Sequence, residues 1–285
     1  MEWLDNWNKA IKYIEEHLED EIDIERAARL AGCSAFHFQR MFSYISDVSL
    51  SEYIRRRRMT KAAVDLKSSS EKILDISLKY GYDSPTAFNR AFQGVHGIAP
   101  SKARKAGTMI KAYPPISFKI IIKGDSEMNY RIEKKDAFKI VGAKKHYSDG
   151  VDESFAKIPN FWNQIKETDL MFKLCGLMNT ELRGILGVCT EETCKDFDYY
   201  ISVATEMDTP EGMDEFIVPA SEWAVFECIG PMPSAVQNMQ KRIVSEWLPT
   251  SGYEYANAPD IELYFDGDQS AEDYKCEVWI PVKRK

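Results

Sequence analysis

Two short stretches carry side chains suited to reading nucleic-acid bases. Gln39 and Arg40 stand in CSAFHFQRMF, residues 33–42, and Asn89 and Arg90 stand in DSPTAFNRAF, residues 83–92. In the major groove an arginine pairs with guanine, and a glutamine or asparagine with adenine, through paired hydrogen bonds. The stretches echo each other: Ser34, Phe38, Arg40 and Phe42 recur fifty positions later as Ser84, Phe88, Arg90 and Phe92. A different chemistry is offered near the C-terminal end, where Glu262 and Tyr264 alternate with Ile261, Leu263 and Phe265. A carboxylate walled by aromatic rings attracts a flat organic cation through charge and cation–π contact.

Helices must position the first set. At about 100° per residue, Phe38, Met41, Phe42 and Ile45 share one face and Phe36, Gln39, Arg40 and Ser43 the other. In the second copy Phe88, Ala91, Phe92 and Val95 oppose Thr86, Asn89, Arg90 and Gln93. Ser34 and Ser84 stand where N-caps belong, and Pro85 fits a first helical position. A polar outer face on one amphipathic helix is ordinary. Two equivalent copies, each preceded by a short helix and a glycine (Gly32 and Gly81), make the helix-turn-helix pattern twice.

The surrounding periodicity completes an all-α module. Trp3, Trp7, Ile11, Ile14 and Leu18 predict a first helix, and Asp23 predicts the cap of the next. Residues 51–67 predict a long helix that would hold the two recognition helices apart, matching grooves about 34 Å apart on B-DNA. Four consecutive arginines, Arg55 to Arg58, lie on it; they cannot all face a core, and both solvation and contact with phosphates are open to them. Ser68 and Glu71 have capping-box spacing.

The charge distribution supports this placement. The whole chain carries −8, but residues 24–107 hold 15 Lys and Arg against 7 Asp and Glu. The opening 23 residues hold 2 against 8, and residues 108–285 hold 20 against 30. A basic module thus stands between acidic flanks. The six cysteines form no CxxC pair and the four histidines show no ligand spacing, so neither a metal nor a cofactor is expected. The acidic opening MEWLDNWNK does not read as a signal peptide, and no apolar run approaches the ~20 residues of a membrane span, so a cytoplasmic location is expected.

Residues 1–107 resemble the double helix-turn-helix DNA-binding domain of AraC/XylS regulators, and in particular the stress-response branch that places this domain at the N-terminus. The motifs carrying the resemblance are AARLAGCSAFHFQRMF, YIRRRRMTKA, ILDISLKYGYDS and AFNRAFQGVHGIAPSKAR. It implies DNA contacts at Phe36, Gln39 and Arg40 in the first recognition helix and at Thr86, Asn89 and Arg90 in the second. Pro85 and Ala87 depart from the polar residues of some relatives. A linker follows over 108–115, where the paired prolines fall, and 116–123 alternates like a strand.

The rest predicts an α+β domain. Strands are expected at 139–147, 184–190, 198–205, 223–229, 260–265 and 275–282, with helices at 153–168 and 234–247. The order is a duplicated βαββ unit, with helices on one side and a groove between the halves. Residues 116–285 resemble the GyrI-like effector-binding domain through MNYRIEKKDAFKIVGA, FWNQI, EWAVFECIG, SEWLPTSGYEYANAPDIELY and CEVWIPVK. The resemblance implies a groove glutamate that holds the effector, matched to Glu262, with Glu277 in reserve. Tyr147, Trp162, Trp223, Phe226, Tyr264 and Trp279 are the aromatic candidates for its walls.

The expectation is a multidomain, sequence-specific transcription regulator. It would bind double-stranded DNA, a hydrophobic small-molecule effector of which a cation is the best-suited kind, and RNA polymerase, in the manner of a multidrug-response protein. Two alternatives stand beside it. One is a groove hydrolase of small electrophiles with Glu262 as general base; the other is a protein-binding module. The sequence holds no GxSxG, phosphate loop or GxGxxG, and a turn accounts for Asp266-Gly267-Asp268 better than a cation site does.

Overall fold

The computed structural model describes residues 2–118, 127–148, 157–191 and 196–285. It divides into two compact units, Met1–Ala31 with Ser46–Lys119 and Gly32–Ile45 with Ile120–Lys285.

The first unit is helical: α1 (Glu2–Glu16), α2 (Ile24–Ala31), α4 (Leu50–Ser68), α5 (Ile73–Lys79), α6 (Pro85–His96) and α7 (Pro100–Ala103). Asp23 caps α2 through the Arg26 amide at 2.9 Å. Ser49 caps α4, and Ser84 caps α6 by accepting from the Ala87 amide. Before α6 the backbone turns at Gly81, whose φ of 77° is open to glycine at little cost. The expected capping box does not form: Ser68 ends α4 and donates to the Val64 carbonyl, and Lys72 stands at the N-cap of α5. The core is built on α4, where Met59, Ala62, Ala63 and Leu66 meet Ile76, Tyr80, Phe88 and Phe92. Burying each phenylalanine contributes about 1.5–3 kcal/mol.

The four arginines of α4 are drawn into this unit. Arg57 grips Glu15 with two hydrogen bonds, at 2.8 and 2.7 Å, while Tyr53 donates to the same carboxylate at 2.7 Å. Arg58 donates to the carbonyls of Leu18 and Asp20. Arg55 and Arg56 both pair with Glu52 and stay more open. Residues 108–118 also run along this unit: the Tyr113 amide bonds Thr60 and the Phe118 amide bonds Asn8. Residues 116–118 form no strand, and the rest of the strand expected over 116–123 lies outside the described residues.

The second unit holds α3 (Ala35–Ser46, its last residue apart) and a sheet of nine strands among the described residues. The strands are β1 (Tyr130–Lys135), β2 (Phe138–Tyr147), β3 (Ile185–Glu191), β4 (Phe197–Ala204), β5 (Asp214–Val218), β6 (Ser221–Ile229), β7 (Tyr253–Tyr255), β8 (Asp260–Tyr264) and β9 (Lys275–Arg284). Every pairing is antiparallel, in the order β1-β6-β9-β8-β3-β4-β2-β5, with β7 on β9. The two βαββ halves are thus β2, β3, β4 and β6, β8, β9, and they meet where β3 pairs with β8. Strands β1, β5 and β7 are additions that the sequence reading did not contain.

Helices α8 (Ile158–Lys166) and α9 (Leu170–Leu177) join one cluster with Val141, Tyr147, Phe197, Tyr199, Ile201 and Val203. Helix α10 (Ser234–Arg242) runs into a π-helical turn, Ile243–Trp247, whose Trp247 packs edge-on against Phe226. The strand register places all of these contacts on one face. The other face carries its own cluster, including Leu186, Val188, Trp223, Ile261, Leu263 and Trp279. The part of the helix expected over 153–168 that precedes residue 157 lies outside the described residues, and α9 was not anticipated.

Candidate functional site

Helix α6 presents its polar face outward. Phe88, Phe92, Ala91 and Val95 are buried, while Thr86, Asn89 and Arg90 are exposed. Gln93 donates to the Asn89 side chain at 3.1 Å, one turn along. The face carries one cation and several neutral hydrogen-bonding groups, a set able to contact base edges and phosphates.

Helix α3 has the same pattern and different surroundings. Its start is fixed by Ser34, whose hydroxyl accepts from the His37 amide at 3.2 Å. Phe36 is 1% exposed and meets Phe197 edge-on at 5.4 Å, while Tyr147 stacks on the same Phe197 at 5.2 Å. Gln39 is half-buried and donates to the Ala35 carbonyl. Arg40 is only 6% exposed. Its Nη1 donates to Asp260 Oδ2 at 2.5 Å, its Nε donates to the Tyr44 hydroxyl at 3.0 Å, and its Nη2 stands 3.9 Å from Glu262 Oε1. His37 Nε2 lies 3.5 Å from the other Asp260 oxygen, and its ring lies 4.3 Å from that of Tyr255.

Asp260, Glu262 and Tyr264 share one face of β8 by alternation. Glu262 sits at the junction of the halves, opposite Gly187 of β3. Its Oε2 accepts from the hydroxyls of Tyr264 at 2.9 Å and Tyr199 at 3.3 Å, and its Oε1 accepts from Gln240 at 3.0 Å. Trp162 donates to the Tyr199 oxygen at 3.1 Å and stands edge-on to Tyr264 at 5.1 Å. A Cβ on residue 187 would fall 2.3 Å from the Tyr199 oxygen, so glycine is what lets that hydroxyl in. Burial, and then the charge of Glu262, push the Tyr199 and Tyr264 hydroxyls well above their ordinary range, so both remain donors. Burial alone would raise Asp260, but the Arg40 charge, with His37 behind it, outweighs burial and holds the carboxyl below its usual value. Among the described residues no cluster of His, Cys, Asp and Glu could hold a metal ion, and no helix is long and apolar enough to cross a membrane.

Residues 128–283, more than half of the chain, match the GyrI-like small molecule binding domain, and residues 27–106 match a helix-turn-helix domain. Over 288 aligned positions the chain is 37% identical to the transcriptional regulator Rob of Salmonella typhimurium, spanning 95% of this chain and 96% of that one. The chain belongs to the AraC family of DNA-binding transcription regulators and carries a GyrI-like domain. It is also 37% identical over 97 residues to the multiple antibiotic resistance protein MarA of the same organism, covering 34% of this chain and 76% of MarA. Among solved structures, that of SAV2435 bound to tetraphenylphosphonium is similar at 30% identity and a TM-score of 0.50, covering 55% of this chain and 94% of that one. Rob and MarA are transcription regulators, which fits a non-enzymatic protein and lends no support to a groove hydrolase.

The GyrI-like domain brings some of the expected residues together and separates others. Glu262, Tyr264 and Trp162 converge; Tyr147 lies on the same face, stacked on Phe197. Phe226 also shares that face, through the pairing of Val278 with both Phe226 and Glu262, but is sealed by Trp247 and Tyr130. Trp223, Glu277 and Trp279 do not join them. The register puts all three on the opposite face, where Glu277 is taken up by a bidentate pair with Arg131 and by the Trp279 indole at 2.8 Å. Sequence reasoning missed Tyr199, Gln240, Asp260 and Tyr255. Asp260 was within its reach, being two residues from Glu262 on a strand. Tyr199 lies on β4 and Gln240 on α10, and only the sheet register and the packing of the helix reveal them.

Proposed function

We propose that this AraC-family regulator senses a hydrophobic organic cation at Glu262 and reads duplex DNA with the outer face of α6 and, when it is accessible, that of α3. The observation carrying the sensing half is the Glu262 side chain, 17% exposed, with three neutral donors and the Trp162 and Tyr264 rings around it. A carboxylate so held keeps its charge in place for a ligand cation, and the rings offer faces and edges to its apolar body. The tetraphenylphosphonium complex of SAV2435 supports a ligand of this chemical kind. Thr86, Asn89 and Arg90 on α6, with Phe36, Gln39 and Arg40 on α3, make up the DNA-reading set. RNA polymerase, in the cytoplasm, is the partner through which binding would change transcription.

Titration calorimetry of the full chain with tetraphenylphosphonium tests the sensing half. Saturable binding to wild type that falls at least about tenfold in Glu262→Gln is the expected result, equivalent to losing one charge contact of about 1.4 kcal/mol. Equal affinity for both proteins would remove Glu262 from the site.

A further inference from the structure

The side chain that the helix-turn-helix pattern offers to DNA is engaged elsewhere. Arg40 lies against Asp260 and close to Glu262, and Tyr44, one turn along α3, accepts from its Nε. Phe36, one turn before, enters the apolar cluster shared by α8, α9 and the sheet. The polar face of α3 is therefore docked on Asp260, beside the Glu262 carboxylate to which the sensing reading assigns the cation.

We propose that α3 is an autoinhibitory latch: Arg40 is bound either by Asp260 and Glu262 or by DNA, and an organic cation at the acid pair shifts it toward DNA. The second half rests on the sensing reading; the first does not. Three physical arguments favour the exchange. A guanidinium on a buried acid has given up its hydration, so the pair approaches energetic balance and is cheap to open in both directions. Glu262 is held by neutral donors and meets Arg40 only as an ion pair at 3.9 Å, beyond hydrogen-bond reach, so of Arg40's two acid contacts this is the weaker one to exchange for a second cation. A bulky hydrophobic cation arrives with a weaker hydration shell than guanidinium and needs room, and a ligand that buries most of its surface cannot do so on a side chain 17% exposed. Once α3 lifts, water reaches Asp260 and the carboxylate no longer needs Arg40.

The test uses the full chain and a duplex selected from a random pool. Fluorescence anisotropy is recorded for wild type and Asp260→Asn, with and without tetraphenylphosphonium. If the closed latch holds about nine molecules in ten or more, Asp260→Asn binds DNA about tenfold tighter than wild type, and the probe tightens wild type but not the variant. Hydrogen exchange on wild type supplies a readout that needs no variant: amides of α3 exchange faster when the probe is added. A variant that binds no tighter than wild type overturns the latch. So does a probe that binds by calorimetry yet leaves α3 exchange and DNA affinity unchanged, and in that case the sensing reading stands. If the probe does not bind wild type at all, the sensing reading fails, and the affinity of Asp260→Asn for DNA still decides the latch.

Discussion

Helices α3 and α6 are two copies of one sequence pattern with opposite fates. Both carry a serine cap, two buried phenylalanines four residues apart, and an arginine between them on the outer face. Arg90 is exposed, whereas Arg40 is buried on Asp260. The hydrophobic face of an amphipathic helix fixes how it sits on its own core; its polar face records only a capacity for hydrogen bonds and charge. DNA and a pair of carboxylates satisfy that capacity equally well, because both present oxygen acceptors with negative charge.

The largest effect that sharpens the contrast lies on the exposed side. Arg90→Ala is expected to weaken binding to a selected duplex by as much as about 3 kcal/mol if the guanidinium reaches a guanine edge. The loss should exceed that on random duplex; an equal loss on both would make Arg90 a phosphate contact only. Stability should hardly move, since exposed substitutions stay within about 0.5 kcal/mol. Arg40→Met should behave in reverse, lowering urea stability by about 2 kcal/mol as Asp260 loses its counter-charge, below the usual penalty because a lifted helix readmits water. A double-mutant cycle with Asp260→Asn should recover a coupling of at least about 1 kcal/mol. Absence of coupling would break the contrast.

Much of this arrangement was legible beforehand, and the reasons for the rest are local. The helices of the first unit, the caps at Asp23, Ser34 and Ser84 and the two Phe faces follow from spacing, because those forces act within a few residues; the capping box expected at Ser68 does not. The βαββ halves follow from alternation and order. The pairing of β8 with β3 and β9 does not, and it is this pairing that sends Glu277 to one face and Glu262 to the other. Even Ile261 and Leu263, correctly opposed to Glu262, say nothing of Tyr199 on β4 or Gln240 on α10, and Phe265, expected beside them, lies exposed past the end of β8. The burial of Arg40 was least legible of all: its partner Asp260 is 220 positions away, and no period in the sequence spans that distance.

A smaller effect probes the floor on which α3 rests. Gly187→Ala drives a Cβ against the Tyr199 hydroxyl and brings it within 3.2 Å of Glu262 Oε2. Tyr199 must withdraw, so Glu262 loses one donor, and overpacking costs about 1–2 kcal/mol of stability. Tetraphenylphosphonium affinity should fall with it. If the affinity is untouched while stability drops, the Tyr199 hydroxyl supports the fold and not the ligand.

The smallest effect separates the helices by pH. Position 96 ends α6 with a buried histidine, where the fifty-residue echo puts Ser46 on α3. His96 Nε2 bonds the Met59 carbonyl at 3.0 Å, and burial lowers its pKa below the ordinary 6.5, against the opposing pull of that bond. A histidine held neutral by folding stabilises fully above the unfolded value and loses that contribution as pH falls below about 6.5, by at most about 1.4 kcal/mol per unit. Asp260 has the opposite kind of shift: its lowered pKa gives a contribution present above the unfolded carboxylate value and lost only in stronger acid. Between pH 6.5 and 5.5, therefore, the α6 unit should weaken while the Arg40–Asp260 contact holds. Residue-resolved hydrogen exchange should show α6 amides losing protection by about 1 kcal/mol and α3 amides keeping theirs, and His96→Gln should flatten the α6 response. Equal loss in both helices would mean that acid acts on the whole fold rather than through His96.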